Sequence, residues 1–292
     1  MSLSARHGGR GSRGATSPAV AELLRSARYE VIPTASIEDK VLASVPRDVP
    51  VTVTASPTKG LSATLDLAES LARHGYTVVP HLSARLVRDK VELADIVTRL
   101  RAIGVQDVFV PAGDADPHVG AYDAALPLLT DLSELGRPFP HVGITGYPET
   151  HPSIDDDVTV QAMWDKREHA TYVVSNMCFD PKVLTTWVSR LRRRGVTLPV
   201  RIGMAGPVET TKLLSMAGKI GVGESARFLT GHASWFMRLA APGGYSPERF
   251  LSAVAPSLAA PVAAVTGLHV FTFNQVAETE RWRQDLLARA AR

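Results

Sequence analysis

The sequence predicts a (β/α)8 barrel, and three observations favour this fold class. Eight short runs rich in Val, Ile, Thr and Tyr alternate with longer segments that have helical periodicity. The turn after the first run, at 33–36, lacks the glycine-rich phosphate turn of a dinucleotide-binding fold. No change in composition marks a second domain. The same alternation also suits an open, doubly wound sheet, but the strand count and the missing turn favour the closed barrel.

The predicted strands follow one another at the spacing of a strand, a helix and two short loops. We expect strands at 29–32, 51–54, 76–79, 108–110, 141–144, 171–175, 199–203 and 269–273. Helical spacing of apolar residues is clearest at 60–73, 87–103 and 181–194. The segment 204–268 is long enough for extra helices before the last strand, which we place near 208–218, 224–240 and 247–260. Pro256 and Pro261 are expected to help end the last of these helices.

The composition fits one large domain over residues 28–292. The chain has 292 residues, of which 45% are hydrophobic, and this is enough for a single core. Cys178 is the one cysteine, so no intramolecular disulfide can form and the composition suits a reducing cytoplasm. The absence of CxxC and HExxH motifs predicts no metal site. No stretch approaches the roughly 20 apolar residues of a membrane span, so we expect no membrane association.

Residues 1–27 form a basic tail that we expect to be disordered. The tail includes Arg6, Arg10 and Arg13, and Glu22 is its one acid. Its richness in Gly and Ser is typical of a solvated terminus. A nucleic-acid-binding arm or a transit peptide is the alternative, but no aromatic residue lies among the charges. We therefore expect no nucleic-acid partner, and a monomer or homodimer.

A barrel places its functional site at the carboxyl ends of the strands, and Glu30 is the first polar residue there. It is a single acid within an apolar strand, where a charge is costly unless it is paired. Apolar surroundings favour the protonated form that a general acid needs. The alternatives are an outward-facing Glu30 and a structural ion pair.

Three further polar residues follow other strands, and each has a structural alternative. His81 suits a ligand contact or a capped core histidine. Asp114 suits a turn or an anchor for a heterocycle. Asn176 suits a turn, or an amide that reads a ring edge with one donor and one acceptor. Asp180, which precedes Pro181, is predicted to cap a helix.

Taken in order, these segments resemble the methylenetetrahydrofolate reductase family over about residues 28–290. The most specific segments are Tyr-Pro-Glu-Thr-His-Pro at 147–152 and His-Val-Phe-Thr-Phe-Asn at 269–274. The others are Tyr-Glu-Val-Ile-Pro at 29–33, Val-Thr at 53–54, Pro-His-Leu-Ser at 80–83, Gly-Asp at 113–114 and Phe-Asp at 179–180. The resemblance implies a barrel enzyme of one-carbon metabolism and methionine synthesis. Such an enzyme reduces 5,10-methylenetetrahydrofolate to 5-methyltetrahydrofolate with a reduced nicotinamide, NADH or NADPH.

The resemblance also implies roles for individual residues. A glutamate at the Glu30 position protonates the folate, whose five-membered ring opens to an iminium ion that accepts hydride. Groups at the positions of Asp114, Asn176, Phe273 and Gln275 bind the folate. The positions that contact the family's flavin are Thr54, His81, Gly113, Tyr147, His151 and Lys166.

The departures from the family pattern lie on the flavin side. The family usually has an arginine immediately before the Gly-Asp pair, where this chain has Ala112. An arginine there would bind a phosphate or the flavin through charge-assisted hydrogen bonds, which alanine cannot form. The hypothesis from sequence is that NADH is the reductant, and that tight FAD binding is weakened or lost.

Two other function classes remain open at the level of sequence. One is a folate-binding or regulatory barrel that has lost its chemistry, and the loss of the flavin arginine favours it. Retention of Glu30 argues against it, because binding alone would not need a buried acid. The other is a subunit that acts only with a partner chain.

Overall fold

Eight strands, each parallel to its neighbours, form the centre of the molecule. They are β1 (Arg28–Val31), β2 (Val51–Val53), β3 (Val78–Pro80), β4 (Asp107–Phe109), β5 (His141–Gly146), β6 (Tyr172–Ser175), β7 (Val200–Ala205) and β8 (Val265–Phe271). Hydrogen bonds join them in the order β3-β2-β1-β8-β7-β6-β5-β4. The two ends of this order meet through a parallel bridge between His81 and Phe109. The sheet therefore closes nearly completely, and the predicted (β/α)8 barrel is confirmed.

The computed structural model describes residues 16–148, 156–208 and 245–291, and the helices in these ranges alternate with the strands. They are α1 (Pro18–Arg25), α2 (Ile37–Ser44), α3 (Gly60–Arg73), α4 (Lys90–Ala102), α5 (Ala125–Glu134), α6 (Asp156–Lys166), α7 (Pro181–Arg193), α8 (Pro247–Leu258) and α9 (Val276–Ala290). Short 3-10 helices occupy Ala84–Leu86 and Pro261–Ala263. Among the described helices, none combines the length and the hydropathy that crossing a bilayer would require.

Side-chain caps fix the starts of several helices. Asp180 accepts hydrogen bonds from the backbone N–H groups of Lys182 and Val183, at 2.8 and 3.3 Å. Pro181 follows at the first helical position, where a missing N–H costs nothing. Ser17 before α1 and Ser246 before α8 repeat the arrangement of a capping oxygen followed by proline. The structural interpretation of Asp180 as a helix cap is confirmed.

The predicted helices at 60–73 and 181–194 agree with α3 and α7, and the one at 87–103 begins somewhat later, as α4. The helix predicted at 247–260 is present as α8. Pro256 does not end that helix, because it lies within it and the helix continues to Leu258. The helices predicted near 208–218 and 224–240 lie almost wholly outside the described residues.

The prediction of a disordered tail over 1–27 is wrong for its second half. Residues 18–25 form α1, whose apolar side packs on the barrel with Val20 and Leu24 buried. Arg283 of α9 holds this helix by donating a hydrogen bond from Nε to the carbonyl oxygen of Leu24 at 2.9 Å. An apolar stripe between charged residues supplies enough burial to order the segment. Residues 1–15 lie outside the described part of the chain.

Side chains of β1 alternate between the helical layer and the barrel interior. Tyr29 points outward, because its hydroxyl donates to Glu280 of α9 at 2.6 Å. Its neighbour Arg28 points inward and pairs with Asp107 of β4 at 2.6 Å. Tyr172 of β6 joins this pair, accepting from Arg28 at 3.0 Å and donating to Asp107 at 2.8 Å. These strands are not neighbours in the sheet, so the three side chains meet inside the barrel near the beginnings of the strands.

We call Arg28, Asp107 and Tyr172 the polar floor of the barrel. A small apolar cluster, formed by Val79, Phe109, Tyr172 and Val174, lies within the interior beside it. Gly143 makes room for the floor, since a Cβ atom there would lie 2.4 Å from the ring of Tyr172. The floor and the apolar cluster fill the lower barrel, so the next inward-facing residue of β1, Glu30, lies nearer the carboxyl ends of the strands.

Candidate active site

Glu30 is the residue around which the candidate site forms. It follows outward-facing Tyr29 in β1, so the alternation of a strand turns its side chain into the barrel. The side chain is 14% exposed. Its Oε2 atom lies 2.8 Å from Nε2 of His269, which projects from the neighbouring strand β8 and is 2% exposed. Glu30 therefore faces inward with a hydrogen-bonded partner, and the outward-facing alternative is wrong.

His81 approaches the same carboxylate oxygen from the end of β3. Its Nε2 atom is 3.9 Å from Oε2 of Glu30, too far for a hydrogen bond. This nitrogen is buried, and it has no hydrogen-bond partner in the part of the chain that the structure describes. The ring packs edge-on against Phe109 with ring centres 4.7 Å apart. Burial, opposed by the charge of Glu30, lowers the pKa of His81 to about 4, so this imidazole is neutral near pH 7.

The three side chains also have the composition of a metal site. The ligand atoms of Glu30, His81 and His269 all lie within 4.8 Å of one another. Two ligands of a tetrahedral zinc ion with bonds near 2.1 Å lie about 3.4 Å apart. The 2.8 Å between Glu30 and His269 is the distance of a hydrogen bond instead. The distance between Glu30 and His269 therefore suits a shared proton.

The end of β8 fixes the backbone around Glu30. Thr272 donates from Oγ1 to the carbonyl oxygen of Glu30 at 2.6 Å. The side-chain amide of Asn274 accepts from the N–H of Ile32 at 2.8 Å and donates to the carbonyl oxygen of the same residue at 2.9 Å. Phe273 and Asn274 have φ values of 49° and 59°, a region that asparagine tolerates better than most residues. The turn after β8 thus places Phe273 at the mouth of the barrel and locks β1 in register.

Gln275 follows this turn at the start of α9. Its side chain is buried, and neither polar atom of its amide has a hydrogen-bond partner among the described residues. Leaving a buried amide unpaired costs on the order of 1–3 kcal/mol. A buried donor and acceptor of this kind would suit a residue that binds a ligand, and folate binding by Gln275 stays a prediction.

The loop after β4 carries Gly113 and Asp114. Gly113 has a φ of 88°, and a Cβ atom there would lie 1.8 Å from Oγ of Ser83. Asp114 is exposed. Burial, aided by the charge of Asp114, raises the pKa of Tyr147 after β5. The structure therefore brings Asp114 and Tyr147 into electrostatic contact at the mouth of the barrel.

The remaining predicted residues are more scattered. Thr54 lies after β2, and its carbonyl oxygen accepts a hydrogen bond from Thr64 at 2.7 Å. Asn176, after β6, accepts from the N–H of Met177 at 2.8 Å, as a turn residue does. Lys166 lies in the last turn of α6, near the beginning of β6, and burial lowers its pKa. The structure does not bring Lys166 to Glu30, and His151 lies outside the described residues.

The flavin-side departure at Ala112 has a structural counterpart. The Ala112 side chain packs partly buried against the core. Arg85 donates its backbone N–H to the carbonyl oxygen of Ala112 at 2.9 Å. Its guanidinium does not replace the missing arginine, because Nε donates to the carbonyl oxygen of Asp123 at 2.8 Å. The described residues near Ala112 therefore do not fit the charged partner that a flavin phosphate needs.

Sequence reasoning missed His269 and Phe109 as site residues. Both lie on strands, and His269 is a polar residue in an apolar strand, which is the signal that singled out Glu30. Period-two alternation also places His269 on the same strand face as Phe271, and their rings contact at 5.1 Å. That signal could have found His269, whereas Phe109 is recognisable only from the closure of the barrel.

Solved structures are similar to this chain at low sequence identity. A protein described as a lyase/mutase from Burkholderia cenocepacia is 16% identical with a TM-score of 0.50, and the match covers 93% of this chain and 86% of that one. A 7,8-dihydropteroate synthase from Vibrio fischeri is 13% identical with a TM-score of 0.42, over 91% and 95% of the two chains. These likenesses concern the barrel alone.

The family comparison is more specific. Residues 35–222, which are more than half of the chain, match the model of the family described as methylenetetrahydrofolate reductase. Glu30 and His269 lie outside the matched segment, so their pairing is a separate observation. Membership supports a folate-related reductase activity in general terms. The chain belongs to the methylenetetrahydrofolate reductase family.

Proposed function

We propose that the protein reduces 5,10-methylenetetrahydrofolate to 5-methyltetrahydrofolate with NADH. The observation that carries this proposal is the carboxyl group of Glu30, which lies inside the barrel beside two buried histidines. A carboxyl group in such surroundings suits a general acid. The cyclic substrate requires an acid, because the methylene carbon accepts hydride poorly until a ring nitrogen is protonated.

In the proposed reaction Glu30 delivers one proton to a ring nitrogen of the folate. The O–H bond of the carboxyl breaks, an N–H bond forms, and Glu30 becomes a carboxylate. The C–N bond to the protonated nitrogen then breaks and gives an iminium ion on the other nitrogen. Hydride from NADH adds to the iminium carbon, which yields the methyl group and NAD+.

Polar groups around the mouth of the barrel suit a pterin ring. A pterin presents adjacent donors and acceptors, which a carboxylate and an amide can pair with. Asp114 offers an exposed carboxylate. Gln275 offers a buried amide that no described residue bonds. We assign these residues, together with Asn176 and Phe273, to the folate-binding site.

We further propose that hydride passes directly from NADH to the folate. The described residues around Ala112 do not supply the charged flavin partner. His81, one of the predicted flavin contacts, has its Nε2 atom 3.9 Å from Glu30. A nicotinamide and a folate can both use the cleft beside Glu30. The proposed enzyme therefore needs no resident flavin.

Deuterium transfer tests the proposal on the full-length protein. NADH carrying deuterium at the transferred position is incubated with methylenetetrahydrofolate, with and without added FAD, and the product is analysed by mass spectrometry. We expect deuterium in the methyl group and no requirement for FAD. A purified protein with stoichiometric flavin, or label lost to solvent, would overturn direct transfer. No 5-methyltetrahydrofolate under either condition would overturn the reductase itself.

A folate-binding barrel without chemistry is the second candidate, and Ala112 favours it. In that case folate would bind without NADH oxidation, and Glu30→Gln would change nothing that can be measured apart from binding. A folate titration by calorimetry beside the deuterium experiment separates the two candidates.

A further inference from the structure

We propose that His269 is a positioning residue that keeps the transferable proton of Glu30 on the Oε1 atom. The inference rests on the proposed function, since it concerns the proton that Glu30 delivers. It deepens that function, because the two oxygens of a carboxyl group are chemically equivalent until the surroundings distinguish them.

The two oxygens of Glu30 have different surroundings. Oε2 lies 2.8 Å from His269 Nε2 and 3.9 Å from His81 Nε2. Within the described ranges, no residue forms a hydrogen bond with Oε1. The histidine side chains are 2% and 7% exposed, whereas the Glu30 side chain is 14% exposed. Oε2 is therefore turned toward buried rings, and Oε1 is the oxygen left for a ligand.

A neutral His269 with its proton on Nε2 would donate to Oε2. A protonated carboxyl group accepts through its carbonyl oxygen and carries its own proton on the other oxygen, so this bond leaves the acidic proton on Oε1. It also prevents Glu30 from passing that proton to His269, because Nε2 is already occupied. After the proton has left, the same N–H stabilises the carboxylate.

The ring of His269 lies among other rings. The centre of its ring lies 5.1 Å from that of Phe271, 6.1 Å from that of His81 and 6.2 Å from that of Phe109. His81 is itself neutral near pH 7. Arg28, which pairs with His269 in the strand register, has its charge compensated by Asp107 at 2.6 Å. Among the described residues, Glu30 and His81 are the titratable side chains that face the ring.

Two variants of His269 separate the hydrogen bond from the volume of the ring. His269→Phe keeps an aromatic ring beside Phe109 and Phe271 but has no donor. His269→Gln keeps an N–H group near the position of Nε2. We expect His269→Phe to lower kcat about 10- to 100-fold, as for a lost hydrogen bond to a charged group, with KM nearly unchanged. His269→Gln should recover most of the loss.

The pH profile distinguishes positioning from simple packing. A hydrogen bond to the carboxylate favours the charged form. Without it, the alkaline limb of the kcat profile of His269→Phe should move to higher pH, and that of His269→Gln should stay close to the wild-type limb. Wild-type kcat and an unshifted limb in His269→Phe would overturn the inference while leaving the proposed function intact.

A second measurement does not depend on turnover. Nitrogen-15 NMR of histidine-labelled protein reports which ring nitrogen carries the proton, and the signal that disappears in His269→Gln belongs to His269. We expect Nε2, the nitrogen that faces Glu30, to carry the ring proton. A doubly protonated ring, a proton on Nδ1 alone, or a signal that changes after chelator treatment would overturn the inference. This holds whether or not the wild-type protein reduces folate, and whether or not His269→Phe folds.

Discussion

The side-chain amide of Asn274 forms a two-point clamp on the backbone of Ile32. Its Oδ1 atom accepts from the N–H of Ile32 at 2.8 Å, and its Nδ2 atom donates to the carbonyl oxygen of the same residue at 2.9 Å. The same Nδ2 lies 3.1 Å from Oγ1 of Thr34. These side-chain bonds take the place of the backbone hydrogen bonds that would extend β1 beyond Val31. The segment after β8 therefore determines where the strand that carries Glu30 ends.

Asn274→Ala should therefore weaken both the fold and the site. Removing hydrogen bonds of a buried amide costs roughly 1 kcal/mol each, and alanine at a φ of 59° adds strain of about 1 kcal/mol. We expect a loss of about 3 kcal/mol in the free energy of unfolding, measured with urea. Asn274→Asp keeps the acceptor for Ile32 and should lose less. Equal losses in both variants would contradict the clamp.

Replacing the acid tests its chemical role. Glu30→Gln keeps the shape of the side chain but cannot deliver a proton, so kcat should fall by about 10²–10⁴-fold. The dissociation constant for folate, measured by calorimetry, should change little. Glu22→Gln, at an exposed position on α1, is the matched control and should behave as wild type. Unchanged turnover in Glu30→Gln would refute the role of this residue as acid.

The glycine before Asp114 should tolerate no side chain. Gly113→Ala places a Cβ atom against Ser83 at a φ of 88°, which we expect to cost about 2–3 kcal/mol. Gly104→Ala is the control, since its φ is 78° but its Cβ would meet no atom within 4 Å, and it should cost about 1 kcal/mol. The difference between the two unfolding free energies measures the contact with Ser83. A difference near zero would show that Ser83 moves aside.

The sequence predicts the barrel well because each strand is a local apolar run. It places β8 too late, at 269 instead of Val265, because Gly267 is a poor strand former. In the structure this glycine admits the carbonyl oxygen of Ser26, which would lie 2.4 Å from a Cβ atom. A close approach between distant segments leaves no pattern in a single sequence beyond the glycine itself.

The candidate site is predictable in part for a similar reason. Glu30 can be found from its own strand, because an acid among apolar residues is a local signal. The contact of His81 with Phe109 depends on how β3 and β4 close the barrel through one bridge. The pairing of β1 with β8 brings His269 to Glu30 across most of the chain. These contacts arise from tertiary closure, which residue spacing does not reveal.

The amide of Gln275 has no partner among the described residues. We therefore expect an apolar substitution there to raise the stability of the fold and to weaken folate binding. Gln275→Met keeps a side chain of similar length and removes two buried polar atoms without partners. We expect the free energy of unfolding to rise by about 1 kcal/mol and the affinity for folate to fall. Gln106→Met, at an exposed position, should change neither. A Gln275→Met protein that binds folate as tightly as wild type would remove this residue from the proposed site.

The buried ring of His81 predicts a specific loss of stability in acid. The pKa of His81 is lowered from 6.5 to about 4 in the folded protein. Between these two pH values His81 is therefore protonated in the unfolded chain but not in the folded chain. The stability that the neutral ring contributes is present above about pH 6.5 and is lost as the pH falls toward 4. The loss amounts to about 3 kcal/mol at about 1.4 kcal/mol for each unit of pKa.

Other groups titrate over the same range, so the effect of His81 is isolated by comparison. His81→Phe replaces the ring by an apolar one against Phe109 and has nothing to protonate. Urea unfolding between pH 4 and pH 7 should therefore show a slope for the wild type that is steeper than that of His81→Phe by about 3 kcal/mol over the range. His118→Phe, at an exposed position, should keep the wild-type slope. Parallel slopes for wild type and His81→Phe would mean that His81 is not held neutral by burial.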